Sequence, residues 1–179
     1  MNVDGVVAPV NENAASATIE GVEWEQTLQP TARSELRLSY SYLESKYDRF
    51  FSPLEGDLSS QPFPYTPRSK ASLSLRYELP LSPRLGHVSA STTYAYQSTM
   101  NGQVSGPYEE VAAYGLLNLR VDVLGILGSE FNASIFVTNA TNKVYVTRLS
   151  ETYMAYGTAG VTYGEPRIIG GQLRYRFGR

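Results

Sequence analysis

The 179-residue sequence contains no cysteine, one histidine and one tryptophan. The absence of cysteine excludes disulfides, thiol catalysis and cysteine-ligated metal sites. The formal net charge is −2, so the chain lacks the excess of basic residues that nucleic-acid-binding proteins carry. No apolar run reaches the roughly 18 residues needed for a membrane-spanning helix. Taken alone, these features make a soluble cytoplasmic protein the default expectation.

The chain is rich in tyrosine and poor in charge. Tyrosine occurs 14 times, and charged residues make up 18% of the sequence, below the roughly 25% typical of soluble domains. A composition of this kind, without long apolar runs, is typical of a membrane barrel whose strands alternate apolar and polar residues.

Alternation with a period of two is the dominant pattern, and no helical period competes with it. It marks residues 36–42, 71–79, 88–97, 117–123, 131–138 and 169–177, and more weakly 22–28. All 10 prolines lie between these segments or at their edges, as expected because proline cannot donate to a strand ladder. We expect an all-β fold, an antiparallel up-and-down meander of about seven to eight long strands.

The connections between these segments alternate in length. Short ones, at 29–32, 80–86 and 124–130, alternate with long ones at 47–67, 98–110 and 148–165. Outer-membrane barrels combine short periplasmic turns with long extracellular loops, so the alternation gives each strand a direction.

Aromatic residues occur at both ends of the apolar phase. They form two groups: Tyr40, Tyr42, Tyr94 and Tyr96 near the long connections, and Tyr77, Phe131, Tyr175 and Phe177 near the short ones. Amphipathic rings favour the two membrane interfaces, where barrels place aromatic girdles. The sequence thus predicts strands of a partial transmembrane β-barrel.

Four stretches, in order, resemble the C-terminal barrel region of TonB-dependent outer-membrane receptors. The first is the strand 19–25, similar to the family's G-x-E-x-E strand, and the second is PFPYTPRSK at 62–70 with the strand that follows. The third, 136–145, is similar to V-x-N-L-x-D-x-x-Y, with Ala140 in place of Leu and Asn142 in place of Asp. The fourth, 163–177, resembles the last loop and terminal strand.

The resemblance implies that residues 1–179 supply the C-terminal third of a large plugged barrel, of the 22-stranded kind. The plug domain and the segment that binds TonB are expected outside this chain. The implied function is TonB-energised uptake of a scarce nutrient, such as a ferric siderophore, across the outer membrane of a Gram-negative bacterium. The implied partners are outer-membrane lipid, the rest of the barrel and plug, TonB and the barrel-assembly machinery. Neither nucleic acid nor a cofactor is expected.

Two other classes of protein were weighed. A small closed outer-membrane barrel with a structural or adhesive role fits the length, but single-chain bacterial barrels have an even number of strands, and seven is odd. A barrel enzyme is opposed because no G-x-S-x-G motif or Ser–His constellation appears. We therefore expect no enzyme activity and no catalytic residue.

Charged residues on the polar phase admit a functional and a structural interpretation. Glu23 and Glu25 share one face and could bind a cation, but charges are ordinary on a barrel's inner wall. The arginines on this phase could hold the plug or line a substrate path, or could balance Glu35, Glu78 and Asp122 on neighbouring strands; they are Arg37, Arg76, Arg120, Arg174 and Arg176. His87, the only histidine, has no second histidine or cysteine to form a metal site, so no metal ligand is predicted.

The long connections hold the candidates for ligand contact. They mix aromatic and charged side chains suited to capturing a small molecule, and the candidates are Arg49, Phe50, Phe51, Tyr65, Tyr153 and Tyr156. The resemblance implies a different role for Tyr175 and Phe177 in the last strand, as the signal that the barrel-assembly machinery reads.

Overall fold

In this computed structural model, the structure describes residues 2–3, 6–7, 16–52, 56–59, 61–102, 110–150 and 156–177. Two short 3₁₀ helices, Pro83–Leu85 and Ile126–Gly128, lie in two of the short connections. The strands of the described residues are β1 (Asn2–Val3), β2 (Val6–Val7), β3 (Ser16–Thr31), β4 (Ser34–Arg49), β5 (Phe51–Ser52), β6 (Gly56–Asp57), β7 (Ser69–Glu78), β8 (His87–Gln97), β9 (Met100–Asn101), β10 (Glu110–Val111), β11 (Tyr114–Leu124), β12 (Phe131–Thr138), β13 (Val146–Leu149), β14 (Val161–Tyr163) and β15 (Ile168–Tyr175).

Seven of these strands form one antiparallel sheet, in the order β15-β12-β11-β8-β7-β4-β3. The order follows the chain, so the predicted up-and-down meander is confirmed. Strands β3 and β15 are the two edges, and within the described residues they do not pair with each other. Among the described residues there is no helix that is both long and apolar enough to span a bilayer.

The register of the sheet aligns apolar residues with apolar residues. Leu36 lies opposite Leu75, and Val121 lies opposite Ile135. Successive pairings give a row that crosses all seven strands, made of Leu28, Leu36, Leu75, Thr92, Leu119, Val137 and Ile169. Because side chains alternate between faces, one face of the sheet is mainly apolar and the other mainly polar.

The apolar face is uncovered, and the usual relation between hydrophobicity and burial is reversed. Leu75 is 40% exposed, and Ile135 and Ile169 are 66% and 70% exposed. Soluble proteins rarely expose a contiguous apolar patch of this extent. Among the described residues, the buried apolar side chains all lie in the long connections and are Leu58, Met100, Val111 and Leu149. The apolar face therefore requires an apolar surrounding, which a bilayer supplies.

Strand β4 shows where the apolar band ends. Tyr40 and Tyr42 occupy its apolar phase, and the next positions on that phase are Glu44, Lys46 and Asp48. The band on this strand thus covers residues 36–42, between a polar turn and these charges. At roughly 3.3 Å per residue and a tilt of about 40°, these seven residues span about 18 Å of the roughly 25 Å apolar band of an outer-membrane barrel.

The lengths of the connections agree with the sequence analysis. The three long connections, 50–68, 98–113 and 139–167, all leave the same end of the sheet, and three of the small two-stranded ribbons lie in them: β5–β6, β9–β10 and β13–β14. The short connections and Tyr175 lie at the opposite end.

The bounds of the first two strands differ from the prediction. Strand β3 begins at Ser16 rather than at residue 22, and β4 continues to Arg49. The predicted turn at 29–32 is also displaced, because β3 reaches Thr31 and β4 begins at Ser34. Pro30 lies in β3 where the register shifts between Leu28 and Thr31, which is the kind of irregularity that admits a residue without an N–H group.

A charge placed on the apolar face tests its orientation. In the full-length protein, Leu75→Arg should lower the free energy of unfolding in lipid vesicles by about 2–4 kcal/mol, the cost of arginine near the midplane of a barrel's lipid face. Ser74→Arg is the matched control, because Ser74 is adjacent but on the polar face. Urea titrations of both variants measure the difference. Equal effects of the two substitutions would contradict the assignment of the faces.

Candidate functional surface on the polar face and long connections

The polar face carries a groove at the end near the long connections. It is open, has a volume of about 520 Å³, and includes Glu23, Glu25, Lys70, Gln97 and Tyr114 in its lining. These side chains meet because five adjacent antiparallel strands, β3, β4, β7, β8 and β11, place their polar-phase positions side by side. The two glutamates therefore share the groove with a lysine, an arrangement that suits an inner wall of mixed charge.

Arginines on the polar face pair mainly within their own strands. Arg120 Nε donates to Asp122 Oδ1 at 2.8 Å, and Arg37 Nη2 lies 2.7 Å from Glu35 Oε1. The interpretation as charge balance placed the acidic partners on neighbouring strands, so that detail is wrong for these two arginines. A side chain two positions along a strand lies on the same face, which brings the charges together.

A small network extends the pair on β11 to the next strand. Ser134 Oγ donates to Asp122 Oδ1 at 2.7 Å, and Arg120 Nη2 donates to Ser134 Oγ at 2.7 Å. The guanidinium of Arg120 also lies 6.0 Å from the ring centroid of Phe136. These contacts fix the side chains of neighbouring strands, so the network stiffens the wall.

Aromatic side chains gather at the base of the first long connection. The ring of Tyr47 stacks on Phe63 with centroids 4.1 Å apart, and Phe50 lies 4.8 Å from Tyr47. Phe50, a candidate ligand contact, is thus half-buried by its neighbours. Its backbone N–H donates to Ser59 Oγ at 2.8 Å.

Ser59 also forms hydrogen bonds with an acidic residue of the same connection, Asp57. Its hydroxyl and its backbone N–H both donate to Asp57 Oδ1, at 2.6 and 3.0 Å. These hydrogen bonds hold the pKa of Asp57 below its ordinary value. The carboxylate is therefore the form that maintains this turn.

The remaining ligand candidates differ in their accessibility. Arg49 is exposed, and Phe51 and Tyr156 are 69% and 73% exposed, so their side chains are available to a ligand. Tyr153 lies outside the described residues. Tyr65 is partly buried, and its hydroxyl contacts the backbone of Leu149. Contact of any of these residues with a ligand stays a prediction.

Asn139 is a structural centre that the sequence analysis did not single out. Its side chain is 3% exposed, and its Nδ2 donates to the carbonyls of Lys143 and Glu165 at 2.9 and 3.1 Å. Its Oδ1 accepts from Lys143 N at 2.8 Å. One side chain thus joins the end of β12 to the approach to β15. The sequence feature that could have revealed this role is the V-x-N stretch, because asparagine tolerates a positive φ, and the φ of Asn139 is 47°.

Asn142, the departure from the family's usual aspartate, keeps a structural function. Its Oδ1 accepts from the backbone N–H of Arg167 at 3.2 Å, and its φ is 52°. An aspartate would offer the same acceptor atom, so the substitution leaves this link intact.

Acidic residues and the single histidine do not converge on a metal site in the part of the chain that the structure describes. His87 Nδ1 lies 3.1 Å from Glu78 Oε1, at the end with the short connections.

Comparison with known proteins identifies the family. Residues 2–142 match the family model described as TonB dependent receptor-like, beta-barrel. The match covers well over half of the sequence, so the chain belongs to the TonB-dependent receptor-like β-barrel family. No curated protein matches the sequence.

Solved structures show the same fold at low identity. The ferric yersiniabactin uptake receptor FyuA from Yersinia pestis is 17% identical, with a TM-score of 0.76 over 90% of this chain and 24% of its own. The siderophore receptor PiuA from Acinetobacter baumannii is 17% identical, with a TM-score of 0.65 over 88% of this chain and 22% of its own. The copper transporter OprC is 19% identical, with a TM-score of 0.66 over 90% of this chain and 23% of its own.

These relatives are receptors and a transporter rather than enzymes. The chain spans about a quarter of the length of each. At this identity the likeness establishes the fold, and the cargo of the relatives does not transfer with it.

Removing the Asn139 side chain tests its role as the link between β12 and β15. In the full-length protein, Asn139→Ala should destabilise the barrel, with about 1–3 kcal/mol for each buried partner left without a hydrogen bond. Asn142→Asp is the control and should be close to neutral, because the acceptor is kept. Thermal unfolding in detergent compares the two. If Asn139→Ala unfolds at the parent temperature, the link is not structural.

Proposed function

We propose that this chain is the C-terminal part of the barrel of an outer-membrane receptor in a Gram-negative bacterium. The receptor takes up a scarce nutrient, such as a ferric siderophore, with energy delivered through TonB. The polar face lines the lumen around a plug, the apolar face contacts lipid, and the long connections lie outside the cell. The plug and the TonB-binding segment belong to the rest of the receptor.

The observation that carries this proposal is the division of one sheet into an uncovered apolar face and a charged face. Leu75, Ile135 and Ile169 stand on the first, and Arg120 and Asp122 on the second. A soluble sheet covers its apolar face with other elements, whereas a barrel in a bilayer leaves it to lipid. Membership of the receptor family supports the same function.

A metal chelate is the class of cargo that we favour. The names of three similar structures mention ferric yersiniabactin, a siderophore and copper. Arg49, the last residue of β4, and Phe51, in the connection that follows, are both exposed, and the groove on the polar face holds Glu23 and Lys70. Aromatic and charged groups of both signs suit a bulky polar chelate better than a simple sugar or an apolar molecule.

A small closed barrel with a structural role remains the alternative. Its support is the length of the chain. Against it stand the two edges, β3 and β15, which do not pair with each other among the described residues, since open edges in hydrocarbon cost several kcal/mol for each group without a partner.

Uptake measurements test the proposal and its ligand contacts. Cells expressing the full-length receptor should accumulate radioactive iron from at least one of a hydroxamate, a catecholate and a carboxylate ferric chelate, and only when TonB is present. Phe51→Ala and Tyr156→Ala should raise the concentration for half-maximal uptake several-fold without changing the maximal rate, because each removes a contact with bound cargo.

The control is Leu85→Ala, an exposed apolar residue in the short connection at the opposite end of the sheet, which should leave both parameters unchanged. Accumulation that is independent of the receptor or of TonB, for all three chelates and for a copper complex, would refute the transport function.

We further propose that Tyr175 and Phe177 form the signal for the barrel-assembly machinery. The ring centroids of Phe131 and Tyr175 lie 4.7 Å apart, and those of Tyr175 and Phe177 lie 4.6 Å apart. Phe177 is 85% exposed, so it contributes little to the stability of the folded sheet and is free to be recognised.

Phe177→Ala should therefore lower the amount of assembled receptor several-fold while leaving its unfolding temperature unchanged. The matched control is Tyr163→Ala, an exposed aromatic in the last long connection. Immunoblots of heat-modifiable receptor in outer-membrane fractions measure assembly, and a normal amount of assembled Phe177→Ala protein would exclude the signal.

A further inference from the structure

The three long connections share a small hydrophobic core of their own. Val111 is fully buried, and Met100 and Leu149 are 9% and 7% exposed. Tyr65 and Val146 pack against this cluster. These residues come from all three connections: Tyr65 from 50–68, Met100 and Val111 from 98–113, and Val146 and Leu149 from 139–167. The connections are therefore packed together, although they are far apart in sequence.

Tyr65 contacts both of the other connections by hydrogen bonds. Its hydroxyl donates to the carbonyl of Leu149 at 2.9 Å and accepts from the N–H of Leu149 at 3.2 Å. Its own backbone N–H donates to the carbonyl of Asn101 at 2.6 Å. One hydroxyl thus forms hydrogen bonds with both the N–H and the C=O group of Leu149, as a neighbouring strand would.

The backbone at Tyr65 has the left-handed φ of 57°. Such a value is unfavourable for a bulky residue and indicates a position imposed by its surroundings. The hydrogen bonds to Asn101 and Leu149 offset the energetic cost of this backbone conformation. The residue is thus held in place for its bridging contacts.

Gly102 supports the same arrangement from another side. A Cβ atom added there would lie 2.7 Å from Leu149 Cδ1 and 3.2 Å from Val111 Cγ2. The second connection therefore approaches the third as closely as the absence of a side chain allows. These two connections are therefore in direct contact at Gly102.

We infer that the described parts of the three long connections around this core, residues 61–68, 98–102, 110–113 and 146–150, form a single rigid cap, and that Tyr65 is the positioning residue that holds it together. The inference rests on the proposed function only in taking the cap to lie over the substrate path. Tyr65 then acts by placing the connections, and the exposed Phe51 and Tyr156 are left to meet the cargo. The cap moves as one unit, because displacing one connection breaks its contacts with the other two.

Hydrogen exchange of the full-length receptor in detergent tests this inference without a ligand. Tyr65→Phe keeps the ring and removes both hydroxyl bonds, so the amide of Leu149 should exchange about fivefold to tenfold faster. Residues 100–102, 110–111 and 146–149 should accelerate together, and the amides of β7, β8 and β11 should not change.

Gly102→Ala provides a second, independent perturbation. It touches no hydrogen bond of Tyr65, yet the same three segments should accelerate together, because the added methyl group pushes on Leu149 and Val111. The matched control is Tyr156→Phe, which removes the hydroxyl of an exposed tyrosine in the third connection and should leave exchange in the cap unchanged.

Two results would overturn the inference. Acceleration confined to Leu149 in Tyr65→Phe would mean a local contact and no shared cap. An unchanged exchange rate of the Leu149 amide in Tyr65→Phe would mean that the hydrogen bonds of the Tyr65 hydroxyl do not hold the cap together. Neither result depends on whether the receptor imports a chelate, so the failure of the cap and the failure of the transport function are distinguishable.

Discussion

Hydrogen bonding of the backbone in hydrocarbon is the constraint on which this structure depends. Water is absent from a bilayer core, so each N–H and C=O group there needs a partner from the protein, and a sheet meets this need only by pairing neighbouring strands. The meander from β3 to β15 satisfies every inner strand on both sides. Under the proposed function, further strands of the receptor pair with the two edges. Closure of the sheet into a barrel would also explain why one face is apolar and the other polar, since one face then contacts lipid and the other lines the lumen.

The same constraint explains why so much of the fold could be predicted. A strand with lipid on one side and polar surroundings on the other requires strict alternation, so the pattern at 71–79 and 117–123 revealed both the strands and the phase of their side chains. The starts of strands were less predictable. At residues 16–21 the apolar phase carries Thr18 and Glu20, because this part of β3 lies past the apolar band. At residues 16–21 the strand is extended by hydrogen bonding to β4, and such pairing produces no alternation in the sequence.

The candidate site was less accessible to sequence analysis, for a related reason. Composition finds aromatic residues in a long connection but does not separate those that pack from those that remain exposed. Tyr65 and Phe51 occupy the same connection, yet one bonds to Leu149 and the other is mostly exposed. The difference arises from contacts between residues that are 84 positions apart. Asn139 was missed likewise, because one of its partners, Glu165, becomes a neighbour only after β12 and β15 pair.

The placement of the hydrophobic core follows from the two solvents of a barrel. Under the proposed function, lipid stabilises the apolar side chains of the sheet, so they need no protein partner, and the described strands of the sheet have no buried apolar core. The long connections stand in water and cannot use lipid, so they obey the ordinary rule that apolar groups are buried against each other. Met100, Val111 and Leu149 supply that burial. A loop in water that must hold a defined shape needs its own core, and sharing one among three connections makes their positions interdependent. The cap therefore needs its own hydrophobic core because, in the proposed arrangement, it lies in water and does not contact the lipid that stabilises the sheet.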